Sequence, residues 1–306
     1  MEIKKKSYQI FSFNNKNYIV NVGNTVTCWN VSSLKMKPKM LWEFSKLKYP
    51  SYVAISPDES LVAYQNTSGH FAVHNLKTGE LLLKHPGLQI EGYEIYFINE
   101  NKKILSCTQN GKFYTLDLES KRTEIVFDLK ETMKISITGL YQIPGTSQFI
   151  VIPSTVGKSY LCMFDCVSCQ FIIICEFTGK ESFLEKASFS KSKFYFTLRE
   201  YLEDQVKMFS YDLQTGSVQL AAVFPKSIFY NYTTSLCVSS EDRDCFICTA
   251  NNVMWYDLKS RKNILTIPGN YISSVNIFDN DTKIAIGTWN HIMIYSRDEL
   301  NRDISL

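Results

Sequence analysis

The chain has 306 residues, of which 45% are apolar and 21% charged, a balance that allows a sizeable core and argues against wholesale disorder. Its net charge is +3 with acidic and basic residues intermixed, so we expect no specific nucleic-acid partner, which would call for a clustered basic face. Aromatic residues make up 14% of the chain and favour the half-buried surfaces of β-strands.

The N-terminal stretch MEIKKKSYQIFSF contains basic residues but no apolar run of the length that a secretory signal needs. The longest apolar stretch is Phe171–Cys175, far short of the roughly 20 residues that span a membrane. We therefore expect no membrane association, a cytoplasmic location, and nine cysteines that are reduced thiols.

A pattern of strand, turn and strand recurs along the chain. In the second copy, SYVAISPDESLVAY (Ser51–Tyr64) predicts two strands joined by a Ser-Pro-Asp turn, and HFAVHNLKTGELLLKH predicts two more. The four strands expected there are Ser51–Ser56, Leu61–Gln65, His70–Asn75 and Glu80–Lys84.

Each copy is marked by a large side chain followed in most cases by Asp or Asn, whose side chain accepts backbone hydrogen bonds and closes a tight turn. We call these dipeptides anchors: Trp29-Asn30, His74-Asn75, Leu116-Asp117, Phe164-Asp165, Tyr211-Asp212, Tyr256-Asp257 and Tyr295-Ser296. Their spacings are 45, 42, 48, 47, 45 and 39 residues, and a period of about 40–45 residues is typical of β-propeller blades.

These residues resemble the WD-repeat propellers. Trp29-Asn30 and Tyr256-Asp257 look like variants of the Trp-Asp dipeptide of that family, and Ser51–Tyr64 resembles its first two strands. The resemblance implies an all-β, seven-bladed β-propeller of four-stranded antiparallel blades, and we expect residues 1–306 to form one domain. The last blade needs an outer strand, for which Arg302–Leu306 and the N-terminal Glu2–Lys6 are the two candidates.

No motif for catalysis, a cofactor or a metal stands out. The sequence has no GxxxxGK[ST], GxGxxG, G-x-S-x-G or HExxH pattern. The CxxxCxxC stretch Cys162–Cys169 and the CxxC stretch Cys245–Cys248 lie in repeats that are not neighbours, whereas a structural zinc site needs four converging ligands. His74 takes the aromatic position of its anchor, which favours core packing. We expect no metal, no cofactor and no enzymatic activity.

The function that the resemblance implies is an interaction scaffold that binds a peptide or protein on one rim of the propeller and is monomeric alone. Rim loops enter the first strands and precede the third strands, and tyrosine is common in binding hot spots. The candidate partner-binding residues are Tyr49, Tyr93, Phe183, Tyr201, Tyr230, Tyr232 and Tyr271. The alternative is an enzyme or small-ligand binder similar to propeller lactonases or quinoprotein-like proteins, with Glu94 in a central channel.

Overall fold

The computed structural model describes residues 1–12, 18–90, 92–129, 136–155, 157–179, 187–199, 205–225, 235–249 and 251–304, and of residues 199 and 302–304 the backbone alone. These residues form seven four-stranded antiparallel sheets, and the fold is an all-β, seven-bladed propeller as the sequence predicts. The four strands expected in the second repeat are observed within one residue of their predicted bounds.

We number the sheets as blades 1 to 7. Blade 1 consists of β2 (Gln9–Ser12), β3 (Tyr18–Val22), β4 (Val26–Asn30) and β5 (Lys39–Phe44). Blade 2 consists of β6 (Pro50–Ile55), β7 (Leu61–Asn66), β8 (Phe71–Asn75) and β9 (Leu81–His85). Blade 3 consists of β10 (Tyr96–Ile98), β11 (Lys103–Cys107), β12 (Lys112–Asp117) and β13 (Thr123–Asp128). Blade 4 consists of β14 (Ser136–Gln142), β15 (Gln148–Thr155), β16 (Lys158–Asp165) and β17 (Gln170–Thr178).

Blade 5 consists of β18 (Ser188–Phe189), β19 (Lys193–Arg199), β20 (Gln205–Asp212) and β21 (Val218–Pro225). Blade 6 consists of β22 (Leu236–Val238), β23 (Asp244–Cys248), β24 (Asn252–Asp257) and β25 (Lys262–Pro268). Blade 7 consists of β26 (Ile272–Phe278), β27 (Lys283–Thr288), β28 (Ile292–Ser296) and the N-terminal β1 (Glu2–Ile3). One helix, α1 (Arg297–Ile304), follows β28.

Five of the seven anchors close the predicted turn with a pair of side-chain contacts, Asn30 makes one such contact, and Ser296 of the seventh anchor leads into α1 instead. In blade 3 the carboxylate of Asp117 accepts hydrogen bonds from the backbone N–H groups of Glu119 and Ser120, at 3.1 and 2.8 Å. The same pair of contacts recurs at Asn75, Asp165, Asp212 and Asp257. These contacts lower the pKa of the turn aspartates, because a hydrogen-bonded carboxylate is favoured over its acid.

The last blade is completed by the N-terminus. Glu2 and Ile3 pair with Met293 and Ile292 of β28. The alternative candidate, Arg302–Leu306, is wrong as a strand for its described part, since residues 302–304 belong to α1.

Contacts divide the chain into two compact units. The first comprises Met1–Glu43 and Phe183–Leu306, and the second comprises Phe44–Ser182, so that the boundary falls near the end of β5. The expectation of one domain over residues 1–306 stays a prediction.

Each unit has its own apolar core, built from the middle strands. In the second unit the anchor side chain Phe164 is fully buried, and its ring centroid lies 4.6 Å from that of Phe113 in the preceding blade. His74 is buried as predicted, stacks on Phe44 at 4.0 Å between ring centroids, and contacts the carbonyl oxygen of Gly79 through Nδ1 at 3.2 Å. Aromatic packing thus occupies the anchor position, as the sequence pattern indicates.

Candidate binding site

A cluster of exposed aromatic side chains lies at one end of blade 7. Tyr271 precedes β26, and Trp289 follows β27 in the turn to β28. Because Ile272 pairs with Thr288, these two aromatic residues lie at the same end of the sheet. Lys6 and Tyr8, between β1 and β2, complete the cluster, and we call these four residues the aromatic patch.

The segment that carries Lys6 and Tyr8 is fixed through its backbone. The N–H of Ser7 donates to the carbonyl oxygen of Thr288 at 2.9 Å, and the hydroxyl of Ser273 donates to the carbonyl oxygen of Ser7 at 2.8 Å. The side-chain amide of Asn21 donates to the carbonyl oxygen of Lys6 at 3.1 Å. These bonds position the patch without using its own side chains.

The rings and the ammonium group of the patch contact one another. The rings of Tyr271 and Trp289 stack with centroids 5.7 Å apart and an interplanar angle of 20°. The Nζ atom of Lys6 lies 4.9 Å from the ring centroid of Tyr8 and 5.3 Å from that of Trp289, within the range of a cation–π interaction. Tyr8, Tyr271 and Trp289 are nevertheless 39%, 63% and 46% exposed, so their faces stay accessible.

Tyr271 has a left-handed backbone with φ of 54°, and Tyr49 in the second unit has φ of 55°. The carbonyl oxygen of each accepts a 3.2 Å hydrogen bond from the N–H of a residue after the second strand of its blade, Trp289 and Thr67 respectively. A left-handed conformation costs a residue with a side chain about 1–2 kcal/mol. Fourteen non-glycine residues of the described chain adopt it, so it is a recurrent feature of the turns and does not single out these two tyrosines.

The charge of the patch is positive. Lys5 pairs with Glu43 at 3.0 Å, and hydrogen bonds from Thr25 and Lys5 lower the pKa of that carboxyl. Within the described ranges no carboxylate pairs with Lys6, and Lys4 is exposed two positions before it. The patch therefore combines rigid aromatic surface with a cation whose charge is not balanced locally.

Of the seven partner-binding residues that the sequence predicts, three lie in the described part of the chain. Tyr271 belongs to the patch, and Tyr49 is 74% exposed at the corresponding position of blade 2. Tyr93 is half-buried: its N–H donates to the carbonyl oxygen of Cys107 at 2.9 Å, and its ring contacts Tyr52. The candidates that lie outside the described residues are Phe183, Tyr201, Tyr230 and Tyr232.

Sequence reasoning missed Tyr8, Trp289 and Lys6. A signal was present, because Thr288–His291 (TWNH) places a tryptophan in a short turn before a third strand, where an aromatic side chain is hard to bury. The contact of Lys6 with Trp289 joins the two ends of the chain, and no local pattern contains that information.

A cleft of about 640 Å³ lies in the first unit between the turns of blades 5, 6 and 7. On its wall the buried carboxylate of Asp244 accepts from the indole N–H of Trp255 at 2.9 Å and from the guanidinium of Arg297. Burial, followed by repulsion from Arg243, lowers the pKa of Arg297. Asp244 and Arg297 neutralise each other on this wall, while the further charged residues Arg243, Asp281 and Asp298 also line the cleft.

A second cleft, of about 810 Å³, lies in the second unit among blades 2, 3 and 4. Hydrogen bonds from Ser56 and Ser60 lower the pKa of Asp58 at its edge to about 2. Its carboxylate is thereby committed to its own turn.

The described part of the chain brings no three His, Cys, Asp or Glu side chains together as metal ligands. Cys245 and Cys248 are both buried, but they pack in different apolar clusters, as expected for strand residues that face opposite sides of a sheet. Burial raises the pKa of Cys245 and, to about 11, that of Cys166, so these thiols are protonated at neutral pH.

Comparison with known proteins shows the fold and no family. No protein-family model matches the chain, and no curated protein matches it. Among solved structures, the β-propeller domain of Cps50 (Swd1) from Myceliophteria thermophila is similar with a TM-score of 0.73 and 13% identity, over 97% of this chain and 99% of that domain. A chain of hydrazine synthase from Kuenenia stuttgartiensis is similar with a TM-score of 0.73 and 11% identity, over 96% of each chain.

The prediction that the chain is not an enzyme is wrong as an inference from its architecture. A hydrazine synthase is an enzyme by name, and one of its chains has the same fold over nearly its whole length. At 11% identity this likeness concerns the fold alone, and the fold gives no reason to exclude catalysis. Of the helices in the described residues, none is long and apolar enough to cross a membrane.

Proposed function

We propose that this chain binds an acidic segment of a partner protein at the aromatic patch. The observation that carries the proposal is the exposed Tyr271–Trp289 stack beside Lys6, for which the described residues supply no carboxylate partner. Tyrosine and tryptophan provide large, rigid contact area at a low cost in conformational entropy and dominate binding hot spots.

The charge of the patch favours an acidic partner. A carboxylate beside Lys6 would gain an ion pair there, whereas Lys5 already has Glu43. An exposed ion pair contributes about 0.2–1 kcal/mol, so the aromatic rings supply most of the affinity and the lysine supplies selectivity.

Two broader assignments are part of this proposal. The anchors and the Ser51–Tyr64 pattern support membership of the WD-repeat propellers. The nine cysteines are all free, which supports a reducing, cytoplasmic location.

The proposal is tested by selecting peptides from a displayed random library on the immobilised chain, followed by fluorescence anisotropy on the recovered sequences. We expect enrichment of Asp and Glu beside an apolar residue, and binding that weakens as salt is raised. Trp289→Ala should weaken binding at least about tenfold, because truncating a hot-spot residue costs about 2 kcal/mol or more and about 1.4 kcal/mol corresponds to a factor of ten. Lys6→Glu should weaken binding of acidic peptides and spare neutral ones.

Lys259→Glu is the matched control, because it changes the net charge by the same amount as Lys6→Glu. Lys259 is exposed in the anchor turn of blade 6. It should leave binding unchanged. Recovery of peptides without acidic residues, or equal loss with Lys259→Glu and Lys6→Glu, would contradict the proposal. Loss with Tyr49→Ala but not with Trp289→Ala would move the site to the second unit.

A further inference from the structure

The outer strand of blade 4 is an exposed apolar edge. β17 has nine residues, the greatest length among the described strands, and its one partner in the sheet is β16. Ile172 and Ile173 are 51% and 48% exposed. A long edge strand with exposed apolar residues is a template on which another chain can pair.

The other outer strands carry features that oppose such pairing. β9 contains the exposed Lys84, β5 begins at the exposed Lys39, and β13 contains the exposed Glu124. β21 and β25 end at Pro225 and Pro268, which have no N–H to donate. β17 carries one charge, the exposed Glu176, which is paired with Lys158, and from Gln170 to Cys175 it has neither charge nor proline.

The neighbouring surface continues the apolar character of β17. The ring of Phe171 stacks on that of Phe127 in β13, with centroids 5.4 Å apart. Ile125 of β13 is exposed, and so is Val167 in the anchor turn that leads into β17. An occupant of the edge would therefore bury apolar surface beyond the strand itself.

We propose that two copies of this chain pair through β17, antiparallel and centred on Ile173. The one charge of β17, Glu176, lies near its C-terminal end, so antiparallel pairing places it against the uncharged N-terminal part of the other copy, and no two like charges face each other. The irregularity of the β16–β17 ladder at Ile174 shifts the register there by one residue. The charge of Glu176 is in addition neutralised by Lys158 at 2.7 Å. The strand is therefore complementary to itself, which is what an interface with twofold symmetry requires.

This surface is distinct from the aromatic patch, and the proposal does not rest on the proposed function. It differs from the monomer expected from the sequence, and measurement of mass in solution distinguishes the two. A second copy of the chain occupies the free edge of β17 in this proposal. If the edge instead bound a strand of another protein, the isolated chain would stay monomeric.

The test is light scattering coupled to size-exclusion chromatography over about 1 to 100 µM, a range that reveals concentration-dependent association. The wild-type chain should shift from monomer to dimer. Ile173→Lys places two like charges at the centre of the interface and should raise the dissociation constant at least about tenfold. An equimolar mixture of Ile173→Lys and Ile173→Glu chains should restore the dimer.

Leu82→Lys is the matched control, because Leu82 is 44% exposed on the outer strand of blade 2. It should dimerise like the wild type. Hydrogen exchange of residues 170–178 should slow as the concentration rises, whereas a dimer formed elsewhere leaves it unchanged. A wild-type chain that stays monomeric over the whole range overturns the proposal, as does a dimer that Leu82→Lys abolishes and Ile173→Lys preserves.

Discussion

Lys283 offers the sharpest test of how the first unit is held together. Its side chain is 10% exposed, and its Nζ atom lies 3.1 Å from the carbonyl oxygens of Val31 and Ser32 and 3.1 Å from the Oδ2 atom of Asp279. The two carbonyls belong to the turn that follows the anchor of blade 1, so one ammonium group joins blade 7 to that turn.

Replacing Lys283 by Met keeps the length and the apolar stem of the side chain but removes all three contacts. Each hydrogen bond to a charged group is worth about 1.5–3 kcal/mol, and breaking a buried ion pair costs about 3–5 kcal/mol. Asp279 is partly exposed and regains water, as does the carbonyl of Ser32, so the cost falls below the sum of these terms. We expect Lys283→Met to lower the free energy of unfolding by about 3 kcal/mol.

The assay is equilibrium urea unfolding followed by tryptophan fluorescence. Lys193→Met is the matched control, because Lys193 also begins the second strand of its blade, but its side chain is 34% exposed and its nearest carboxylate oxygen is 3.8 Å away. That change should cost less than about 1 kcal/mol. Equal costs for the two variants would show that the buried contacts of Lys283 do not stabilise the fold, and would refute the reasoning.

Two further predictions concern the patch and the core. Tyr271→Asn should leave the free energy of unfolding within about 1 kcal/mol of wild type, because relief of the left-handed strain offsets the lost stacking on Trp289. Peptide binding should fall in the same variant. A large loss of stability in urea would contradict this reasoning. Burial lowers the pKa of His74, so the folded state binds its proton less readily than the unfolded state, and stability present above about pH 6.5 is lost as pH falls further. His74→Phe should reduce the drop in the urea midpoint between about pH 7.5 and 5.5, and an unchanged drop would exclude His74 as its cause.

The blade pattern could be predicted from sequence because its determinants are local. The side chain of Asp117 or Asp257 closes a turn with residues two and three positions ahead, and the anchor spacing then counts the blades. The helix α1 was predictable too: Ser296 and Glu299 form part of a capping box, in which the N–H of Ser296 donates to Glu299 Oε2 at 3.4 Å. This capping box favours a helix after β28 and therefore argues against a strand at Arg302–Leu306.

The candidate site was predictable only in part. The position of Tyr271 before a first strand identifies it as a rim residue, and the structure places it there. Its neighbours Lys6 and Tyr8 come from the opposite end of the chain, and their approach depends on the contacts of Ser7 with Thr288 and Ser273. Such contacts depend on how blade 7 closes, which no window of sequence describes.

The pairing of β1 with β28 has a consequence for the order of synthesis. Glu2–Ile3 is translated about 290 residues before its partner Ile292–Met293. At about 5–20 residues per second, the ribosome takes about 15–60 s to cover that distance. During that interval β1, Lys6 and Tyr8 lack the residues of blade 7 that they contact in the folded chain. The aromatic patch therefore forms only after blade 7 has been translated, and a nascent chain that lacks blade 7 would not yet present it to a partner.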